Sequence, residues 1–446
     1  MALDDDGLFQ WPEIIVEAGL VTANPTQLVT SLVLDDATDG KLNTGTLGVG
    51  VSWTNITEWV RTFTVNRPAT REQGPLWNFQ AGTLSMSLDN SDGRFDPDNL
   101  SSPYVIDGVS QIDVMVPIRI RANFNNVAYN VFYGYADGWI PDDVTFSGDY
   151  ATLTLTATDA FKVLAGLILV TIVTEGLGDD TGARVSDILS RVGWYTSAEF
   201  SKIDTGNSVL QGTTLGSDAL SLIQNAVDSE IGRVYVDESG AVVFRNRHSL
   251  LLDETSNSVQ AVFGDSAGTS HSAGTELICA VVGRALDDTT LANDIQATRT
   301  GGTLQEVQDT ASVAKYLFPR TFSKSDLALE NDSDALHWAQ WVLYISKQGE
   351  NRFGAVTVDP LADTANLWPQ VLGRKFGDRI QAWITPANVT DRVGKDCFIT
   401  GITHTVDCTQ FTWSTQWILQ SADKYGSFLV LDNTTLGQLD ENALAF

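Results

Sequence analysis

Cysteine is scarce in this 446-residue sequence: Cys279, Cys397 and Cys408 form an odd set without zinc-ribbon spacing. That excludes a disulfide framework and predicts ordinary buried thiols in a chain made in a reducing cytoplasm. Histidine is almost as rare, with His248, His271, His337 and His404 the whole complement. None lies in an HExxH pattern and no serine sits in GxSxG, so two common hydrolytic motifs are absent. His404 lies near Cys397 and Cys408, which invites a mixed metal site, but the alternation Phe398, Thr400, Ile402, His404 reads as one strand of a sheet. His337, beside Trp338, reads as a partly buried helix histidine. Basic side chains are outnumbered, 27 against 56 acidic, for a formal net charge of −29. Such a surface repels phosphate backbones and excludes a nucleic-acid binder that works by neutralising them. It serves solubility, or it forms a repulsive wall past which another polyanion slides.

Long apolar runs are missing too. The most apolar stretch, VLAGLILVTIV from Val163 to Val173, has 11 residues where a spanning helix needs about 20. It reads as a buried helix end running into a core strand. The opening MALDDDGLFQW lacks the basic region and apolar core of a signal peptide. GTLGVG at 45–50 has neither the lysine nor the following helix of a phosphate-binding loop.

What is present is a folded chain, 43% hydrophobic and 19% charged, long enough for about two to four domains. Residues 1–50 have little periodicity and read as an extended arm or a few edge strands. From 51 to 168 strand follows strand: Trp53–Val65, Val114–Ala122, Val127–Tyr135 and Ala151–Thr158, closed by a short helix DAFKVL at Asp159–Leu164. From 169 to 255 the period changes. Val185, Ile188, Leu189 and Val192 share a helical face behind a Thr181 cap, with Gly193 as a stop, and Leu220, Ile223 and Val227 share another behind Ser217. A hairpin turning at Asp237-Glu238-Ser239-Gly240 completes a small α+β module.

From 256 to 424 strands return at Arg352–Val358, Arg379–Ile384, Cys397–Val406 and Phe411–Leu419. One helix, Ser333–Ser346, interrupts them, capped at Asp332 or Ser333. The segment 425–446 is turn-rich and apolar, a tail expected to dock on a neighbour. Strands end on acid in SLDN, TATDA and VTVDP, a hint of two related β domains. The fold class expected is therefore mainly β with an α+β insertion, in two barrel domains and a helix-hairpin module.

The most informative segment is GTLSMSLDNSDGRFDPDNLSSPY, Gly82–Tyr104. Leu84, Met86 and Leu88 alternate with Thr83, Ser85 and Ser87 as in a strand. Asp89, Asn90, Ser91, Asp92 and Gly93 then form a turn composition, followed by the apolar anchor Phe95, then Asp96 and the stop Pro97. With Asp98 the carboxylates invite a calcium reading at Asp89, Asp92 and Asp96, because hard cations take several oxygens from one loop. The EF-hand order is not followed, and a hydrogen-bonded turn is the preferred reading. Paired carboxylates also raise a cell-wall glycosidase, though carboxylates within one turn are ordinarily solvated. The twelve tryptophans suit a carbohydrate platform or, better, core and subunit interfaces.

The Gly82–Tyr104 segment resembles a signature of minor tail and baseplate-hub proteins of long-tailed phages that infect actinobacteria. DGWIPD at 137–142, ATLTLTATDAFKVLAG at 151–166, the stretch 217–247, GAVTVDP at 354–360, FGDRI at 376–380 and LDNTTLGQLDENALAF at 431–446 resemble the same family in the same order. Lys315–Leu327 departs from its pattern, and the first 50 residues match nothing in it. The resemblance implies a structural virion protein of the tail tip with no reaction to catalyse and no cofactor. It also implies a homotrimeric hub with two barrels per chain around a channel. Partners implied are the distal tail or tail tube protein, the tape-measure protein, other minor tail proteins and genomic DNA passing without specific binding. A peripheral minor tail protein binding the host surface is the first alternative, and a cell-wall hydrolase the second.

Overall fold

The computed structural model describes residues 10–20, 52–70, 76–142, 151–169, 174–194, 199–214 and 216–425. The GTLGVG run, the end of the Val163–Val173 run and the tail from 426 onward lie outside the described residues.

The first β region consists of β1 (Glu13–Ala18), β2 (Val60–Arg67), β3 (Thr83–Asp89), β4 (Pro117–Phe124), β5 (Val127–Pro141) and β6 (Thr152–Thr158). Alternation decides what each buries: Leu84, Met86 and Leu88 from β3, Ile118, Ile120 and Ala122 from β4, Leu153, Leu155 and Ala157 from β6. The predicted arm contributes β1, which buries Ile14, Val16 and Ala18 and pairs antiparallel with β4 from Glu13↔Asn123 to Ala18↔Ile118. Glu17 is held between Arg119 and Arg121, each at 2.7 Å. β4 and β5 are joined by Asn125 and Asn126, both at positive φ (50° and 62°), the conformation that matches hairpin twist.

The module holds α1 (Ala160–Gly166), α2 (Thr181–Arg191), α3 (Ala219–Glu230) and the hairpin β7 (Arg233–Val236) with β8 (Val242–Arg245). Its helices begin where expected, but their caps are the neighbouring aspartates. Asp180 accepts from Ala183 N at 3.0 Å and Asp218 from Ser221 N at 2.8 Å. Thr181 is instead the first helical residue, its hydroxyl turned to Ser208 O.

The second β region comprises β9 (Val259–Gly264), β10 (Gly274–Ile278), β11 (Ala280–Asp287), β15 (Glu350–Val358), β16 (Arg379–Ile384), β17 (Val393–Asp407) and β18 (Thr412–Ser421). Between β11 and β15 lies a three-stranded sheet of β12 (Asp294–Arg299), β13 (Gln305–Gln308) and β14 (Thr321–Leu327). A short helix, α4 (Thr310–Tyr316), connects β13 to β14, and α5 (Asp332–Ser346) packs Trp338, Ala339 and Val342 against Ile295 and Ala297. The N-cap position of α5 is Asn331; Asp332 is drawn away by Arg299, at 2.6 Å. After β15, α6 (Thr364–Gly373) buries Leu367, Trp368 and Val371.

The expectation of two barrels is corrected here: among the described residues no closed barrel is found. Instead β2 and β17 pair antiparallel from Thr62↔Asp407 to Arg67↔Ile402, which merges both β regions into one fifteen-stranded sheet. The physical reason is that each strand offers a long alternating edge, and joining the edges satisfies backbone groups that would otherwise be exposed. One apolar core runs under both regions. Trp11, Trp368 and Trp413 meet edge to face in it, and Trp368 Nε1 donates to Gln10 O at 3.1 Å. The strand-ending acids do share a role. Asp89, Asp159 and Asp359 each accept from the backbone N–H two residues on, at Ser91, Phe161 and Leu361.

Candidate functional site

The Asp89–Tyr104 turn is built around Asn90 and Phe95. Asn90, almost fully buried, accepts from Phe95 N at 2.9 Å through its side-chain oxygen, and its own N–H reaches Ala151 O at 2.9 Å. Gly93 stands at φ +68°, a conformation side chains disfavour. Asn99 closes the loop by donating to Gly93 O at 2.8 Å, and Ser102 Oγ donates to Arg94 O at 2.6 Å. Phe95 is wholly buried, stacked on Tyr104 (5.6 Å) and Trp139 (6.1 Å) with Trp59 edge-on at 5.8 Å. Arg94 lies over the other part of this cluster, 4.0 Å from the Trp59 ring centroid.

The acidic side chains of the turn point to separate partners. Asp89 meets Arg61 at 2.7 Å, and this bond with the Ser91 N–H holds its carboxyl down at about 2. Asp92 is engaged by Arg94 through Nε at 2.7 Å, which keeps it below the usual carboxylate range. Asp96 accepts from Asp98 N at 2.9 Å. Among the described residues no group of three His, Cys, Asp or Glu side chains is placed to hold a metal ion. Pro97 follows as part of the outer turn, within a run of turn conformation.

A second constellation lies where the first β region, the module and the second β region meet. Arg67, at the end of β2, reaches Glu238 on the β7–β8 turn at 3.2 Å, and Lys375, just past α6, takes the other oxygen at 3.0 Å. Burial pushes the Glu238 carboxyl up, but the charges of Arg67 and Lys375 outweigh it and bring the group to about 2. The Arg67 guanidinium also lies 5.1 Å from the Phe376 ring centroid. Nearby, Asp159 accepts from Gly82 N and Phe161 N, and burial raises it to about 7.

His404 faces Val65 across the β2–β17 ladder. Its Nδ1 is 2.8 Å from Thr415 Oγ1, and Trp413 Nε1 lies 3.3 Å away. Burial, aided by the charge of Arg67, lowers it to about 3, so it is neutral. Cys397 and Cys408 are free thiols pushed up by burial, Cys408 to about 11. His271 stacks on Trp383 at 4.4 Å and bonds Glu276 at 2.8 Å, whose buried carboxylate also takes both arms of Arg392 at 2.7 Å. His248 lies against Trp341 at 5.7 Å and is lowered by burial.

These arrangements hold elements together. The carboxylates named above are matched by guanidinium, ammonium or backbone N–H groups, and where a hydroxyl meets an imidazole, at Thr415 and His404, the pair is buried within the sheet. The Arg67–Glu238–Lys375 junction was not anticipated from sequence, although a signal exists. The β2 parity that buries Phe63 and Val65 also buries Arg67, a charge in phase with the core face.

No family model matches the sequence, and no curated protein does. Solved structures do. A tail protein from Neisseria meningitidis MC58 superposes with a TM-score of 0.51 at 10% identity, covering 84% of this chain and 95% of that one. The 43 kDa tail protein of prophage MuSo2 from Shewanella oneidensis gives 0.49 at 12% identity, over 93% of this chain and 98% of that one. A component of the E. coli type VI secretion system, itself similar to T4 bacteriophage tail proteins gp27 and gp5, gives 0.41 at 11% identity, over 82% and 74%. The Neisseria superposition shows that the chain has the fold of a tail protein.

Proposed function

We propose that this chain is the hub of a long-tailed phage's tail tip, a structural virion protein without catalytic activity. Three copies join the tail tube protein to the tip complex, enclose the end of the tape-measure protein, contact other minor tail proteins and let DNA pass without specific binding. The observation that carries this reading is the union of two β regions, with strands within 13–158 and 259–421, in one sheet within a tail-protein fold. A chain with two β units side by side offers six in a trimer, which reconciles a sixfold tube with a threefold tip. The net charge of −29 per copy suits a channel wall that DNA does not adhere to.

The test is assembly. Sedimentation equilibrium of the full chain, alone and with tube protein, is expected to give a trimer that co-sediments with tubes. Electron microscopy of tails labelled through this chain is expected to place it on the central axis. A monomer that ignores tube protein, or labels at the tail periphery, overturns the hub reading.

A further inference from the structure

A small cavity lies where the end of α3, the β7–β8 hairpin and α5 meet. Its volume is about 40 Å³, and it is lined by Arg233, which opens β7, and Arg247, just past β8, with Ile231, Leu250, Trp341 and Ile345 as an apolar wall. Neither guanidinium meets a carboxylate among the described residues. Arg233 Nη2 donates to Ser249 Oγ at 2.7 Å, the Arg247 guanidinium lies 5.9 Å from the Trp341 ring centroid, and Arg247 Nε is buried without a hydrogen-bond partner. Acids are not in short supply, with 56 against 27 basic residues. Arg245, which lies between the two in sequence, takes Asp204 at 2.9 Å. Two acids close by are engaged elsewhere: Asp228, on the cavity wall, bonds Lys324 at 2.5 Å, and Glu230 accepts from the backbone N–H groups of Asn207 and Arg247 at 2.9 and 3.3 Å. Burial lowers both guanidinium groups from the ordinary arginine value, and at Arg247 the charges of Glu230 and Asp334 do not overcome it. That is the sign for cations taken out of water without a counter-ion.

We propose that this cavity is a carboxylate-binding site, in which the guanidinium groups of Arg233 and Arg247 donate to the carboxylate oxygens and the apolar wall receives the carbon stem. Size sets the class of ligand. One water needs about 10–15 Å³ of such space, so the cavity holds about three water-sized atoms, as many as a carboxylate has and fewer than a phosphate group. The planar fork of a guanidinium also matches a planar carboxylate. A bound carboxylate supplies the missing counter-charge and gives the buried Arg247 Nε–H an acceptor, which relieves the cost of an uncompensated cation. Both arginines are partly exposed, so the site is open to solutes. Two sources carry this chemistry: a free aliphatic acid, and the acidic side chain of a neighbouring protein. The proposal is independent of the hub assignment.

The test uses full-length protein labelled with heavy nitrogen in arginine only, titrated at constant ionic strength with propionate and, separately, with N-acetylglutamate N-methylamide. The Nε–H signal of Arg247, identified by its loss in Arg247→Lys, is expected to shift saturably with at least one of the two. Tighter binding of propionate assigns the site to free acids; equal or tighter binding of the glutamate derivative assigns it to a partner's side chain. Arg233→Met, with circular dichroism like the parent's, is expected to weaken binding by about tenfold or more. Arg233→Lys, which keeps the charge and loses the fork, serves the same comparison if the methionine variant does not fold. Inorganic phosphate is expected to bind more weakly than either carboxylate. An Arg247 signal that follows neither acid, binding that survives both Arg233 variants, or phosphate binding as tight as the carboxylates overturns the proposal.

Discussion

Arg67 and Glu238 meet at 3.2 Å across 171 residues of sequence, both largely buried, and so pin the first β region to the module. Removing Glu238 strands Arg67, and removing Arg67 leaves Glu238 with Lys375 alone. Glu238→Gln or Arg67→Met is expected to lower the unfolding free energy by about 3–5 kcal/mol, measured by urea denaturation. The double variant should lose less than the sum of the two. Because Glu238 is held at about 2 in the fold against 4.5 for the free group, its contribution is complete above pH 4.5 and is lost as pH falls toward 2. Glu238→Gln should flatten that part of the profile.

His404 provides a second titration with its own window. Its folded value of about 3 lies below the ordinary 6.5, so the unfolded chain binds the extra proton between these limits. Stability is then full above pH 6.5 and falls as pH drops toward 3, by about 2 kcal/mol at pH 5. His404→Phe should be less stable at neutral pH, since Thr415 and Trp413 lose their partner, yet should show a shallower slope between pH 6.5 and 5. Equal slopes in the two proteins would refute the assignment.

In the Asp89–Tyr104 turn the side chains differ sharply in what they hold. Asn90→Ala leaves the buried Phe95 N–H without its acceptor and should cost about 1–3 kcal/mol. Gly93→Ala, at φ +68°, should cost about 1 kcal/mol. Asp96→Asn, whose carboxylate serves an exposed N–H, should stay within about 0.5 kcal/mol. Thermal unfolding of the three variants gives the ranking directly.

Calcium should find little purchase on this turn, since Asp89 and Asp92 already face Arg61 and Arg94. Millimolar calcium is expected to move the melting temperature by less than about 1 °C. A rise of several degrees that disappears in Asp92→Asn would establish a cation site instead.

Local pattern carried far in this chain, and long-range pairing did not. Arg379–Ile384 is a strand with the limits its alternation indicates, and the hairpin turns at Asp237–Gly240 as its composition requires. The helix expected over Ser333–Ser346 is α5, one residue longer. Helix α6 was hidden because Pro369 sits inside TANLWPQVLG, where proline argues against a helix. The departure at Lys315–Leu327 resolves into the end of α4 and strand β14. The β2–β17 ladder was illegible for a different reason. Thr403 bonds Asn66 from 337 residues away, and both strands carry ordinary alternation that names no partner. For the site, the polar turn at 89–97 announced itself through composition, whereas the Arg67 junction depended on which surface each strand finally met.

The antiparallel seam between Thr62–Arg67 and Ile402–Asp407 has a mechanical consequence. Its hydrogen bonds lie across the strand axes, so a force that slides one region along the other must break them together rather than one by one. Under such a load the two strands of the seam are expected to hold their register, and strain is passed outward to the strands on either side.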